Sequence, residues 1–340
     1  MNNSLDVFLT NIGASQNEHH HSQFNDAVTA PACDNIISPL SHYGLLAIDG
    51  PDTAKFLQGQ TTCDLKKVDP TTSIEGGCCT VQGRLYSSFH LAQLSSEQYR
   101  LRIRKDIVED TQQRLAKYIV FSKAEQNNLT DSHLVIGMKG PQAKANIETV
   151  FGGCPASANE SLATDAAIII CLGDESYECW LSISDAEMHW QALANQLTAI
   201  GSNHWELLTI ERGIAEITAL TQDMFIPQML NQQITGAVSF TKGCYTGQEI
   251  VARMQYKGKL KRRMYRIGFS SDQPVQPGDD ISTAQGKSIG NIVNVNRNDQ
   301  YFEALAVITS DQIDNSDLTL TKNQTNLEIL SLPYAINTEG

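Results

Sequence analysis

Apolar and polar residues alternate along much of the chain in short runs that end in glycine, proline, aspartate or asparagine. Residues 99–104 (YRLRIR) alternate as a half-buried strand does, and a helical stretch follows over 106–118. Residues 179–184 (CWLSIS) repeat that alternation, again ahead of a helical stretch, 185–200. Two earlier segments echo each other as well. Residues 43–58 (YGLLAIDGPDTAKFLQ) and 133–147 (HLVIGMKGPQAKANI) each read as a short apolar strand, then Gly-Pro, then a helical period. Pro51 and Pro141 suit a first helical turn, where a missing N–H costs nothing. Between the halves of the first copy, CCTVQGRLYSSFHL reads as a hairpin turning near Gly83. Each copy is therefore expected to be an α+β unit with an antiparallel sheet.

The pattern changes after Trp205. A helix is expected over 206–217, then a loop holding FIPQ and a cysteine-centred run. From about Arg263 the chain is a series of short strands (RMYRIGF, PVQPGDDI, SIGNIVNVN, EALAVIT) separated by Pro, Gly, Asp and Asn. Strands at that spacing predict a small antiparallel barrel. At the other end, residues 12–34 are poor in hydrophobic residues and include His19, His20 and His21. A flexible solvated arm explains that segment better than a metal-binding run does.

Composition narrows the function. The 340 residues suffice for two or three domains, and the formal net charge is -13, which argues against generic attraction to nucleic acid or anionic membrane and leaves such contact to a local basic patch. No stretch approaches the ~20 apolar residues of a membrane span. The N-terminus lacks the basic start and apolar core of a signal peptide. The eight cysteines are scattered, with no C-x-x-C pair. Reduced thiols in a cytoplasmic protein are the expectation, with no protein-held metal and no permanent iron–sulfur cluster.

The chemistry concentrates in KGCYTGQE, residues 242–249. Cys244 lies between Gly243 and Gly247, with Tyr245 beside it. Thr246 and Glu249 fit a capping box for a helix that continues through Ile250, Val251 and Ala252. Cys244 is then expected just outside a helix N-terminus, where the dipole favours an anion and lowers a thiol pKa. A buried cysteine in a tight turn is the alternative. Lys242 could hold Cys244 as thiolate or point to solvent, Gln248 follows within one turn, and Glu249 reads as a cap before a base. Beyond the run, Arg253, Lys257, Lys259, Lys261, Arg262, Arg263 and Arg266 form a basic stretch with no acidic residue from 251 to 271. That stretch predicts contact with a polyanion, against the alternative of a solvated strand end.

KGCYTGQE followed by VAR (residues 251–253), FIPQMLN (225–231) and LLAIDGPDTAKFLQGQTTCDL (45–65) resemble the YgfZ family, folate-binding relatives of the glycine-cleavage T-protein. The resemblance runs from about residue 36 to the C-terminus. It implies two related antiparallel α+β (ferredoxin-like) units and a C-terminal β-barrel around a central cavity. The expected division is a flexible arm (1–35), a discontinuous folate-binding domain (36–120 with 205–262), a second α+β domain (121–204) and a barrel (263–340). It further implies tetrahydrofolate or a derivative bound against Trp205 and Tyr43, the latter standing where the family usually has tryptophan. Aromatic faces suit a flat pterin ring, although both residues also read as core. Gln60, Asp64 and Arg84 lie in matching segments; turn-closing is the safer reading for Gln60 and Asp64. The function implied is an accessory one, with Cys244 as the functional thiol. It supports iron–sulfur enzymes such as tRNA methylthiotransferase and is not itself clearly an enzyme. The thiolate would protect or pass on labile sulfur or iron while folate scavenges a by-product. Two alternatives remain: a tetrahydrofolate-dependent aminomethyltransferase, and an RNA- or protein-docking module using the basic stretch.

Overall fold

The internal echo of the sequence becomes two sheets with the same strand order in the computed structural model, which describes residues 4–24, 35–298, 301–313 and 318–336. The first sheet runs Ile74–Cys79, Leu85–Ser95, Gln98–Arg104, Tyr43–Asp49, Glu125–Asn128. The second runs Ser161–Ala163, Ala167–Gly173, Ser176–Ser182, His133–Lys139, Ile36–Pro39, Thr198–Ala199. In both, the Gly-Pro strand pairs antiparallel with the strand that ends its own copy, Tyr43–Asp49 with Gln98–Arg104 and His133–Lys139 with Ser176–Ser182. The outer neighbours differ in origin. Glu125–Asn128 follows the first copy, whereas Ile36–Pro39 comes from before it and still pairs with His133–Lys139.

The hairpin turns at Gly83, whose φ of 72° lies in the left-handed region that glycine tolerates. Its N–H donates to the Thr80 carbonyl, closing the turn. Pro141 opens the helix Pro141–Phe151, but Pro51 falls two residues ahead of the helix Thr53–Gln60. The helix expected over 185–200 is Ile183–Leu193, because the chain turns through Gln196 (φ 58°) and then adds the short strand Thr198–Ala199. The helix expected over 206–217 is Ser202–Glu211, and Gly213 (φ 68°) ends it.

The chain divides into two compact units. The first comprises residues 1–57, 65–75 and 89–205; the second comprises 58–64, 76–88 and 206–340. This grouping differs from the division read from the sequence, since one unit holds most of both copies. Within the first unit, Leu134, Ile136 and Met138 share a core with Ile169, Cys179 and Leu181. The same core contains Leu5, Phe8 and Leu9 of the helix Ser4–Asn11, and Phe8 meets Trp190 edge-on with centroids 5.7 Å apart. The flexible arm expected over 1–35 is thus corrected for residues 4–24, which form this helix and the hairpin of Ala14–Gln16 with Ser22–Phe24. Three buried apolar side chains at helical spacing anchor it, a signal that lies ahead of the polar 12–34 segment. Residues 25–34 lie outside the described residues.

The second unit carries a six-stranded antiparallel sheet, ordered Leu318–Leu320, Asp280–Thr283, Ser288–Asn298, Tyr301–Thr309, Arg262–Ser270, Glu328–Leu330. Tyr265, Ile267 and Phe269 alternate inward against Phe302, Ala304, Ala306 and Ile308. The sheet curls into a half-barrel. The edge strand Leu318–Leu320 bridges Asn326, just ahead of the other edge strand, so the β-barrel expected from the sequence is present as a half-barrel sheet. No helix among the described residues is long and apolar enough to cross a membrane.

Candidate functional site

The KGCYTGQE loop is fastened to the turn 59–63 along most of its length. Lys242 is 8% exposed, and its ammonium donates to the carbonyls of Thr61 (2.7 Å) and Cys63 (2.6 Å). Ser239 N–H donates to the Thr62 carbonyl, the Thr62 hydroxyl to the Ala237 carbonyl, and Thr246 N–H to the Gly59 carbonyl. The Thr246 hydroxyl donates to Gln60 Oε1 at 3.2 Å. Tyr245 is buried and lies 5.0 Å from the Lys242 nitrogen, measured to its ring centroid. Between these anchors Gly243 and Cys244 are exposed. The loop therefore presents one thiol to solvent from a fixed backbone.

Burial and hydrogen bonding set the electrostatics here. Desolvation pulls the Lys242 ammonium down to about 8, offset in part by nearby Cys63, Asp64 and Cys78. Its amine is committed to backbone carbonyls, so it does not serve as the counter-ion of Cys244. Burial pushes Cys78 up to about 12 and raises Cys63 and Cys79 as well, which makes those three thiols inert. Burial also raises Tyr245, whose hydroxyl has no hydrogen-bond partner.

The expected capping box does not form. Gly247 is the N-cap of the helix Gln248–Lys257, with φ 84° and no side-chain cap. A Cβ at Gly247 would collide with the Thr80 carbonyl oxygen and come within 3.0 Å of Cys79 Cβ. That close approach selects glycine for the cap and leaves Thr246 to bond Gln60. Cys244 consequently lies three residues ahead of the N-cap. Gln248 and Glu249 form the first turn, Glu249 exposed, and Arg253 is exposed one turn later. Asp64 accepts from Gln58 Nε2 at 2.9 Å, and Arg84 donates to the Met224 carbonyl, so Gln60, Asp64 and Arg84 each have a partner within the chain.

Tyr43 and Trp205, nominated for folate, both belong to the first unit and are 4% and 2% exposed. The Arg102 guanidinium lies 3.9 Å from the Tyr43 ring centroid, and the neighbouring His42 ring is 4.1 Å away. Trp205 lies against the backbone of Gly137, where an added Cβ would sit 2.7 Å from the indole. Gly137 is paired with Glu178, which holds Arg102 Nε at 3.0 Å and accepts from Trp180 Nε1 at 2.8 Å. The two aromatic residues thus border one buried ion-pair cluster, and neither presents an open ring face. A cavity of about 150 Å³ in the same unit is lined by Leu45, Arg100, His133, Trp180 and Asp185 and includes neither residue.

A pterin is donor-rich, and unpartnered acceptors are present in the second unit. Gln228 Oε1, Asn231 Oδ1, Gln232 Oε1 and Gln233 Oε1 are buried without hydrogen-bond partners among the described residues. The amide nitrogens of Gln228 and Asn231 are engaged by the carbonyls of Val251 (2.6 Å) and Met264 (2.9 Å), which fixes the orientation of those two groups. These acceptors fit such a ligand, and the sequence analysis missed them. FIPQMLNQQ carried the signal, as four amide side chains in a segment otherwise apolar. Among the described residues no group of three or more His, Cys, Asp or Glu side chains is arranged to hold a metal.

The fold is that of an aminomethyltransferase-like protein. Glycine cleavage system aminomethyltransferase T from Bartonella henselae superposes with a TM-score of 0.80 over 97% of this chain and 96% of that one, at 16% identity. The GCVT N-terminal domain family matches residues 17–239. The tRNA-modifying protein YgfZ of Colwellia psychrerythraea is 30% identical over 306 residues, 88% of this chain and 93% of that protein. Its counterpart in Photorhabdus laumondii is 31% identical over 313 residues, 88% and 92% of the two chains. The chain belongs to the YgfZ family.

Proposed function

We propose that this chain is a cytoplasmic, folate-binding accessory protein that supports iron–sulfur enzymes, tRNA methylthiotransferase among them, through the thiol of Cys244. The observation that carries the reading is the presentation of that thiol. It is exposed on a loop whose two flanks are pinned by Lys242 and Thr246, while Cys63, Cys78 and Cys79 are buried. A thiol held out in this way suits exchange with a protein client better than a role in packing.

Tetrahydrofolate is the proposed cofactor. Within the second unit, the acceptors of Gln228, Asn231, Gln232 and Gln233 would receive hydrogen bonds from its ring. Arg253, Lys257, Lys259, Lys261, Arg262 and Arg263 would meet a polyanion. The ferredoxin-like character of the two repeated units belongs to the same reading.

Complementation tests it. Wild-type chain is expected to restore methylthiolated tRNA in bacteria lacking their own YgfZ, and Cys244→Ala is not. Rescue by both would reduce Cys244 to a structural residue. Rescue by neither, with soluble protein present, would favour the aminomethyltransferase reading, which an assay with lipoylated carrier protein decides. Tetrahydrofolate titration of the purified chain should give a saturable fluorescence change and heat of binding, both weakened by Gln232→Leu. No saturable change and no heat of binding would remove the cofactor from the proposal.

A further inference from the structure

We propose that the exposed face of the helix Gln248–Lys257, together with the turn that follows it, binds a single-stranded segment of RNA. A base stacks on Tyr256, and phosphates are held by Arg253, Lys257 and Lys259. This deepens the tRNA-modification reading and rests on it.

Charge is the first argument. In a chain of net charge -13, the residues from 251 to 271 include seven cations and no acid. Elsewhere Arg100 meets Asp49 and Arg114 meets Asp110, and within the stretch Arg266 meets Glu303 and Glu211. By contrast, Arg253, Lys257, Lys259, Lys261, Arg262 and Arg263 make no ion pair and no side-chain hydrogen bond among the described residues. Arg263 is buried and Arg262 half-buried, which leaves Arg253, Lys257, Lys259 and Lys261 exposed. Glu249, one turn before Arg253, does not pair with it either. A cluster of unpaired cations on an acidic protein is a local field for an anionic partner.

The aromatic side chain selects the kind of anion. Tyr256 is 68% exposed and neighbours Arg253 (i−3) on the helix surface, and Arg253 in turn neighbours Lys257 (i+4). Phe240 meets it with centroids 6.2 Å apart and planes at 73°, an edge contact that supports the tyrosine while leaving it largely in solvent. Val251 faces inward and anchors the helix. A carboxylate chain, whether an acidic peptide or a polyglutamate tail, would engage the cations and have no use for the tyrosine face. Alternating cations and an exposed ring are what an unpaired nucleotide strand requires, because its bases are free to stack. Phe240 also begins the loop that carries Cys244, so RNA seated on Tyr256 would lie beside the thiol-bearing loop.

Fluorescence anisotropy of the full-length chain with a fluorescein-labelled single-stranded RNA, over a range of salt concentrations, tests the proposal. Binding is expected to weaken with salt, and Arg253→Ala, Lys257→Ala and Lys259→Ala should each lower the salt slope by about one unit. Tyr256→Ala should weaken binding about tenfold with little change in slope, because stacking is not ionic. A Tyr256→Phe variant should retain binding. Absence of binding at low salt overturns the inference, as does equal competition by polyglutamate together with indifference to Tyr256→Ala. These variants should also be compared in the complementation assay. Rescue by a wild-type chain that does not bind RNA would overturn this surface and leave the accessory function standing. RNA binding without rescue would do the reverse.

Discussion

Arg102 in the first unit and Arg253 in the second stand in opposite environments. Arg102 is 7% exposed, with Glu178 at 3.0 Å and its guanidinium over Tyr43. Arg253, Lys257 and Lys259 are exposed and have no carboxylate partner among the described residues. A buried charge without a partner carries a penalty of several kcal/mol, so the first environment has to be complete for the unit to fold. An exposed charge in water carries almost none, so a cation there can be kept for a partner outside the chain. Lys242 combines the two cases. It belongs to the second unit, as the exposed cations do, but it is buried and its ammonium closes the loop through two carbonyls. The difference separates residues that hold the structure from residues available for function, although all three are basic and two lie within one motif.

The sharpest way to break the comparison is Glu178→Ala. It removes the counter-ion of Arg102 and the acceptor of Trp180 Nε1 at once. The expected loss is about 3–5 kcal/mol of stability, the usual consequence of stranding one member of a buried pair. Urea unfolding with an unchanged m-value would measure it. A loss below about 1 kcal/mol would mean that Arg102 is solvated, and the contrast with Arg253 would fail.

Lys242→Met comes next. It leaves the Thr61 and Cys63 carbonyls without their donor, at about 1–3 kcal/mol. Its pH dependence gives a second readout. The folded ammonium, lowered mainly by burial, loses its proton near pH 8, while the unfolded side chain holds its proton to about 10.4. Between those values the unfolded state binds more protons, so this group's contribution to stability rises with pH. The advantage of wild type over Lys242→Met should therefore grow from pH 8 to about 10.4 and stay flat below pH 8. A flat advantage across that window would place the amine in solvent, and one that shrinks would pair it with an anion.

Much of this was legible in the sequence because it rests on local signals. The two Gly-Pro copies, the hairpin at Gly83 and the strands after Arg263 all follow from periodicity and turn residues. The basic stretch was visible too, since an acid-free run in an acidic chain needs no structure to be seen. What stayed hidden depends on tertiary contact. Thr246 and Glu249 have the spacing of a capping box, yet the close approach of Thr80 to Gly247 puts a glycine at the N-cap. The helix Ser4–Asn11 is short, and its burial becomes clear only when Phe8 is seen against Trp190. Lys242 reads as a partner for its sequence neighbour Cys244 until the turn 59–63 supplies better acceptors. Tyr256 gave no sequence signal beyond its place among cations; only its exposure sets it apart.

The smallest expected effect sharpens the comparison from the other side. Arg253→Ala and Lys257→Ala, together, should change stability by less than about 0.5 kcal/mol. Two weak terms oppose each other there. Lys257 sits in the last turn of its helix, where a cation is favoured by about 0.3–1 kcal/mol, and losing it costs that much at low salt. Removing two of several unpaired cations relieves repulsion of similar size. The two contributions are screened together as salt rises, so the net should stay near zero at every ionic strength. Chemical unfolding at low and high salt would measure it. A stability loss comparable to that of Glu178→Ala would show that these side chains hold the fold, and the surface would lose its claim to be kept free for a partner.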